Sequence, residues 1–338
     1  MAADSEIPPQ SLLQAASQTD AAFQKIPIID VSNATNPDPA IRHQLANQVR
    51  DACINVGFFY VKGHGIPEED ITNAVEAGKK FFELSADQKL EFDSRKSSNF
   101  KGYTALLSEN NDPNGRGDLH EGFDFGPEGN DENSQGEKNA MSGANVWPTK
   151  YVPEFRDSVL SYYREAIRLG RSLFPLFALA LDLPENYFED KTKEAAAIMR
   201  VLHYPPQTGP HDDRVVGIGA HTDFECFTIL WQQPNIQALQ VLNADKEWIN
   251  ATPIEGTLVI NLGDQFARWT NDIFKSTVHR AINRTGVERY SMPLFFGTDY
   301  NVKLEAIPSC VSPERPAKYE VVTAGEYVRA RLQAAYGH

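Results

Sequence analysis

The chain has 338 residues, with 46 acidic against 32 basic side chains and a net charge of −14. That balance repels phosphate backbones and anionic lipid, so neither nucleic acid nor a membrane is expected as a partner. Cys53, Cys226 and Cys310 are odd in number and far apart, which disfavours a disulfide framework or a CxxC metal site and points to a reducing, cytoplasmic setting.

The opening residues lack a basic segment followed by an apolar run, and no stretch reaches the roughly 18 apolar residues of a membrane span. Residues 1–25 are polar and read as an arm or a frayed helix. A single domain is expected over 26–335, beginning with the β-branched run Ile26-Pro-Ile-Ile-Asp30. Asp38-Pro39 makes a cap with proline at the first helical position, and Ile41, Leu45, Val49 and Cys53 follow at helical spacing. Gly57-Phe-Phe-Tyr-Val61 reads as a buried strand. Ile71, Val75, Gly78 and Phe82 mark a second helix, and residues 155–183 a third helical region that Pro175 should kink or divide. Between them, Ser108 to Pro148 is rich in Asn, Asp, Gly and Glu, and 128–146 reads as a solvated insertion, with a functional lid as the alternative. Only Gly122-Phe-Asp-Phe125 interrupts it as a strand or pocket wall.

From Ile198 the texture changes to short apolar runs separated by turn residues: 215–220, 227–231, 239–242, 257–262, 276–281 and 290–296. Such spacing indicates an antiparallel sandwich or barrel. With helices preceding it, the expected class is α+β, a double-stranded β-helix (jelly roll) flanked by helices. A helical and strand part over 26–197 leads into a jelly-roll core over 198–300 and a C-terminal helix.

Residues two apart on a strand share a face, so His221 and Asp223 of His221-Thr222-Asp223 can reach one ion. His279, in Ser276-Thr-Val-His-Arg280, lies on another expected strand that a barrel could bring opposite. Two imidazoles and a carboxylate leave coordination positions open, the donor set of non-haem Fe(II) oxygenases. A bare HxD is common; Arg289 and Ser291, again two apart, change its weight. They offer a guanidinium fork and a hydroxyl to a dicarboxylate co-substrate from the same barrel interior.

With these motifs, the chain resembles the isopenicillin N synthase-like family of Fe(II)/2-oxoglutarate-dependent dioxygenases over about Ile26 to Leu332. The similarity includes Gly57-Phe-Phe-Tyr-Val-Lys-Gly-His-Gly65, Lys101-Gly-Tyr103, the HTD run, His279 and Arg289-Tyr-Ser291. The resemblance implies a catalytic domain in which His221, Asp223 and His279 bind iron while Arg289 and Ser291 hold the distal carboxylate of 2-oxoglutarate. It implies O2 as oxidant and ascorbate as a stimulant of turnover. Tyr204, in Met199-Arg-Val-Leu-His-Tyr-Pro-Pro206, matches a position that commonly contacts 2-oxoglutarate. Arg200 and Phe295 match positions near substrate, and Phe295 shares the strand parity of Arg289 and Ser291. Tyr103, Phe123 and Phe125 are further substrate candidates from similar positions in relatives. Trp147, Trp231, Trp248 and Trp269 read as packing.

Two positions depart from the family pattern: Leu202 stands where plant members have Asn, and Ala238 opens a run that usually begins with Gly. The run Ala251 to Asp264, followed by Ala267-Arg-Trp-Thr-Asn271, resembles a fungal branch with thymine 7-hydroxylase and natural-product oxygenases. A small-molecule substrate in natural-product biosynthesis is therefore expected, with amino-acid and nucleobase hydroxylation as alternatives. Hydroxylation, desaturation and ring rearrangement all stay open. An iron oxidase independent of 2-oxoglutarate and a ligand-binding jelly roll with a vestigial site are the rival readings. A zinc hydrolase is disfavoured because no general base accompanies the triad.

Overall fold

In chain order the computed structural model runs α1 (Leu12–Ser17), β1 (Ile28–Asp30), α2 (Pro39–Asn55), β2 (Phe58–Lys62), α3 (Glu68–Phe82), α4 (Ala86–Leu90), β3 (Gly102–Thr104) and β4 (Glu121–Phe125). It continues with α5 (Phe155–Ala180), β5 (Ala197–Tyr204), β6 (Ile218–His221), β7 (Phe227–Gln232), β8 (Leu239–Leu242), β9 (Trp248–Asn250) and β10 (Thr257–Leu262). Last come α6 (Asp264–Trp269), β11 (His279–Ala281), β12 (Arg289–Phe296) and α7 (Ala324–Tyr336). The structure describes residues 11–17, 22–97, 99–110, 117–128, 143–207 and 216–336. Most of the expected insertion at 128–146 and parts of the expected arm therefore lie outside the described residues.

Local chemistry starts the long helices. Asp38 accepts a hydrogen bond from the Ala40 amide (2.9 Å), and Pro39 occupies the first turn, where its missing N–H costs nothing. α3 carries Glu68, Glu69 and Asp70 in its first turn and Lys79 and Lys80 in its last, each sign matching the helix dipole. The expected division at Pro175 does not occur: α5 runs unbroken for 26 residues. Leu173, Phe174, Leu176 and Phe177 are all buried around that proline, and fully burying each such side chain is worth about 1.5–3 kcal/mol. Packing thus outweighs the lost hydrogen bond.

The strands form two sheets. The larger has the order β1-β2-β10-β7-β12-β5-β4-β3 and the smaller β6-β11-β8-β9. Pairing is antiparallel except between β1 and β2. The eight-stranded sheet takes β1 to β4 from the portion before residue 197, so one sheet runs through both parts of the expected single domain. Leu12, expected in an arm, is only 2 % exposed and belongs to the core. β9 and α6 have no counterpart among the expected elements, being three and six residues long.

Alternation along the large sheet separates two environments. Phe123, Phe125, Met199, Val201, Phe227, Ile229, Leu294 and Phe296 belong to the main core cluster with residues of α2, α3 and α5. Their alternating neighbours Asp124, Ile198, Arg200, Thr228, Pro293 and Phe295 line a pocket shared with residues of the smaller sheet. Trp231 and Trp269 are core, Trp147 packs against it, and Trp248 lies under the Arg280 guanidinium. No helix among the described residues is long and apolar enough to cross a membrane.

Candidate active site

β6 ends at His221 and β11 begins at His279, and the antiparallel register sets these two residues opposite each other. Their ring centroids are 4.4 Å apart. Asp223, two residues beyond His221, brings Oδ1 to 3.6 Å from the Nε2 of each histidine. One donor atom from each of the three lies within 4.8 Å of the others.

The surroundings orient these donors toward a common point. His221 Nδ1 pairs with the Gly219 carbonyl (2.7 Å) and His279 Nδ1 with the Thr277 carbonyl (3.1 Å), which keeps the proton on Nδ1 and turns both Nε2 lone pairs inward. Asp223 Oδ2 accepts from the Thr228 hydroxyl and from Asn261 Nδ2 (2.7 Å), leaving Oδ1 for the site. Burial, reinforced by neighbouring His221, pulls His279 down to about 4, which favours the neutral imidazole that ligates. Burial opposes the charge on Asp223, but His279, His221 and Thr228 outweigh it and hold the carboxylate well below its usual range. These groups fit a divalent cation: two imidazole nitrogen donors, one anionic oxygen, and hydrogen bonds that fix each.

Arg289 is the other anomaly. It is 1 % exposed, and its Nε has no hydrogen-bond partner. Its guanidinium carbon stands 4.7 Å from the Tyr204 ring centroid, its Nη1 is 3.5 Å from Ser291 Oγ, and the Ser291 hydroxyl is 3.4 Å from that of Tyr204. The register pairs Arg289 with Tyr204 directly. No carboxylate forms a salt bridge with this buried cation among the described residues, although it lines the same pocket as the triad. A buried charge in that state needs an anion.

Comparison with known proteins identifies the arrangement. Residues 195–298 match the model of the 2OG-Fe(II) oxygenase superfamily, and residues 26–150 match the model described as non-haem dioxygenase in morphine synthesis N-terminal. A 2-oxoglutarate-Fe(II) type oxidoreductase of Emericella nidulans is 37 % identical, over 92 % of this chain and 90 % of its own. The chain belongs to the 2-oxoglutarate–Fe(II) oxygenases. A homoarginine-6-hydroxylase of Oryza sativa is 35 % identical to this oxygenase over 90 % of the chain and 96 % of its own. Among solved structures, the full-length thymine 7-hydroxylase of Neurospora crassa in complex with alpha-KG and thymine superposes with a TM-score of 0.81. It is 29 % identical, covering 92 % of this chain and 97 % of that one. The double-stranded β-helix with flanking helices and the use of iron and 2-oxoglutarate are properties of the family.

The remaining candidates divide by strand parity. Arg200 and Phe295 line the oxygenase's pocket. Arg200 is also ion-paired, to Asp124 (2.6 Å) and Glu109 (2.9 Å), and Glu109 in turn meets His120 Nε2 (3.1 Å). Burial pushes Asp124 up to about 6, with Arg200 opposing the shift and Glu109 adding to it. Glu109 moves the other way, because Arg200 and His120 overcome its burial.

Tyr103, Phe123 and Phe125 are corrected: they face the helices. Phe123 and Phe125 are 0 % exposed and pack on Trp147, with Phe123 also against Phe81 and Phe155. Tyr103 pairs in register with Phe123 and donates its hydroxyl proton to Glu121 (2.6 Å). Gly122 and Asp124 alternate with them, and Asp124 lines the pocket, so the segment is a pocket wall through the opposite face to the one expected. Phe123→Ala should therefore cost about 3–5 kcal/mol of stability, seen as a lower urea midpoint, with the 2-oxoglutarate requirement unchanged. Weakened co-substrate or substrate binding at wild-type stability would return Phe123 to the pocket.

Asp124, Glu225, Thr228 and Asn261 were not anticipated. For Thr228 and Asn261 the signal was their parity on β7 and β10, since both occupy the pocket face of otherwise apolar strands. They sit directly across from each other in the β7–β10 register.

Proposed function

We propose that this oxygenase anchors the distal carboxylate of 2-oxoglutarate on Arg289 and Ser291, with Tyr204 beside them. A small-molecule substrate lies against Phe295 and the Arg200–Asp124 pair. The observation that carries this reading is the buried, unpaired Arg289 Nε in the same pocket as the His221–Asp223–His279 triad. Iron and O2, when bound, supply the oxidising power, converting 2-oxoglutarate to succinate and CO2 while a substrate C–H bond is oxidised.

The chain's own residues supply position. Arg289 neutralises one carboxylate and sets the co-substrate's direction, Ser291 and Tyr204 add hydroxyls, and the Thr228 and Asn261 donors keep Asp223 from rotating. The apolar walls at Leu202, Leu230 and Pro293 exclude water. Similarity to proteins named for homoarginine hydroxylation and crystallised with thymine supports a small, nitrogen-containing substrate.

The test is succinate release by purified, Fe(II)-loaded protein across a panel of cyclic amino acids, nucleobases and polyketides. At least one compound should stimulate succinate formation well above the substrate-free rate. Oxidation of a panel member without succinate would instead establish an oxidase that does not use 2-oxoglutarate.

A further inference from the structure

Glu225 lies two residues beyond Asp223 and lines the same pocket, yet it does none of the work described so far. It is 7 % exposed, and its Oε2 is fully buried with no hydrogen-bond partner. A carboxyl group taken from water and left unpaired costs folding free energy, so its retention beside a metal triad calls for a partner that arrives from outside.

The pocket's own cations are committed elsewhere. Arg200 is held by Asp124 and Glu109. Arg280 donates to Gln240 (2.9 Å) and lies over the Trp248 ring (3.9 Å). Arg289 stands at the far end of β12, six residues before Phe295. The chain also keeps space for the carboxyl group. A Cβ at Gly297, the residue that follows β12, would lie 2.1 Å from Glu225 Oε2, so any side chain there would displace the carboxyl group. Ile198, Pro293, Phe295 and Val328 supply apolar and aromatic wall in the same pocket. A carboxylate together with an aromatic face in an otherwise apolar wall is a receptor for a cationic nitrogen.

We propose that Glu225 is the specificity-determining residue of this pocket and pairs with an ammonium or guanidinium group of the substrate, setting which C–H bond meets the metal site. The inference rests on the oxygenase reading and deepens it by naming the substrate class. Placing the charged end at Glu225 leaves the Arg289 end to the co-substrate, so the two ligands occupy the pocket without competing for one ion.

The test uses matched probes: benzylamine and butylguanidine against their neutral counterparts benzyl alcohol and butylurea. Each is titrated anaerobically, by calorimetry, into the chain loaded with Fe(II) and 2-oxoglutarate. The cations should bind about tenfold more tightly than the neutral probes, as expected for a charge-assisted pair, and Glu225→Gln should remove most of that preference. Equal binding of charged and neutral probes by the wild-type protein, or an unchanged preference in Glu225→Gln, would overturn the proposal. If the variant does not fold, the wild-type comparison decides alone. Binding of 2-oxoglutarate is measured separately in the same protein, so failure of the oxygenase reading is told apart from failure of the Glu225 assignment.

Discussion

His221→Ala and Asp223→Ala should each abolish turnover, with losses beyond the 10–100-fold that typically follow mutation of groups merely supporting a metal ligand. The two variants fail for different reasons. His221→Ala removes one of two imidazole donors and leaves a gap opposite His279 on the β6–β11 pairing. Asp223→Ala removes the anionic donor and strands the Thr228 hydroxyl and Asn261 amide, which both point at its carboxylate. Iron content after gel filtration should fall in both, and succinate release with it. Unchanged substrate oxidation in either purified variant would sink the iron assignment.

Arg289→Leu should act on the co-substrate and leave the metal in place. Truncating one partner of a buried charge pair costs about 2–4 kcal/mol, which raises the 2-oxoglutarate requirement by a factor of about 30 to 1,000. Leucine keeps apolar contact with the Tyr204 ring, on which the guanidinium now lies, so the loss reports charge and hydrogen bonding more than packing. The effect should appear mainly in the 2-oxoglutarate KM, with iron content unchanged. A wild-type KM in this variant would mean that the carboxylate binds elsewhere.

What could be read in advance followed from period-two arithmetic. Arg289, Ser291 and Phe295 share a face of β12 whatever strand pairs beside it, whereas β6 ends at His221 and Asp223 reaches the same point from two residues beyond the strand. That arithmetic places residues on a common face without saying which face meets the pocket. Phe123 and Phe125, substrate candidates by resemblance to positions in relatives, are turned by the large sheet toward α3 and α5. Pro175 does not divide α5 for a related reason: its local penalty is visible in the sequence but the burial around it is not.

That one sheet runs across residue 197 was not legible, because β1 to β4 are short runs whose sheet partners lie up to some two hundred residues further along the chain. Glu225 was the least legible of all. It continues the alternation of His221 and Asp223, but its meaning depends on Gly297 and Phe295, which arrive from another part of the chain. Thr228 and Asn261 likewise acquire their role only when β7 pairs with β10 around Asp223.

The central claim is that one pocket joins an iron site to a 2-oxoglutarate clamp, and an anaerobic calorimetric titration of 2-oxoglutarate tests it most directly. Titrated into the wild-type chain with and without Fe(II), the co-substrate should bind tightly to the loaded protein and much more weakly to the metal-free one. Equal affinity in the two states, or no binding in either, would contradict the account.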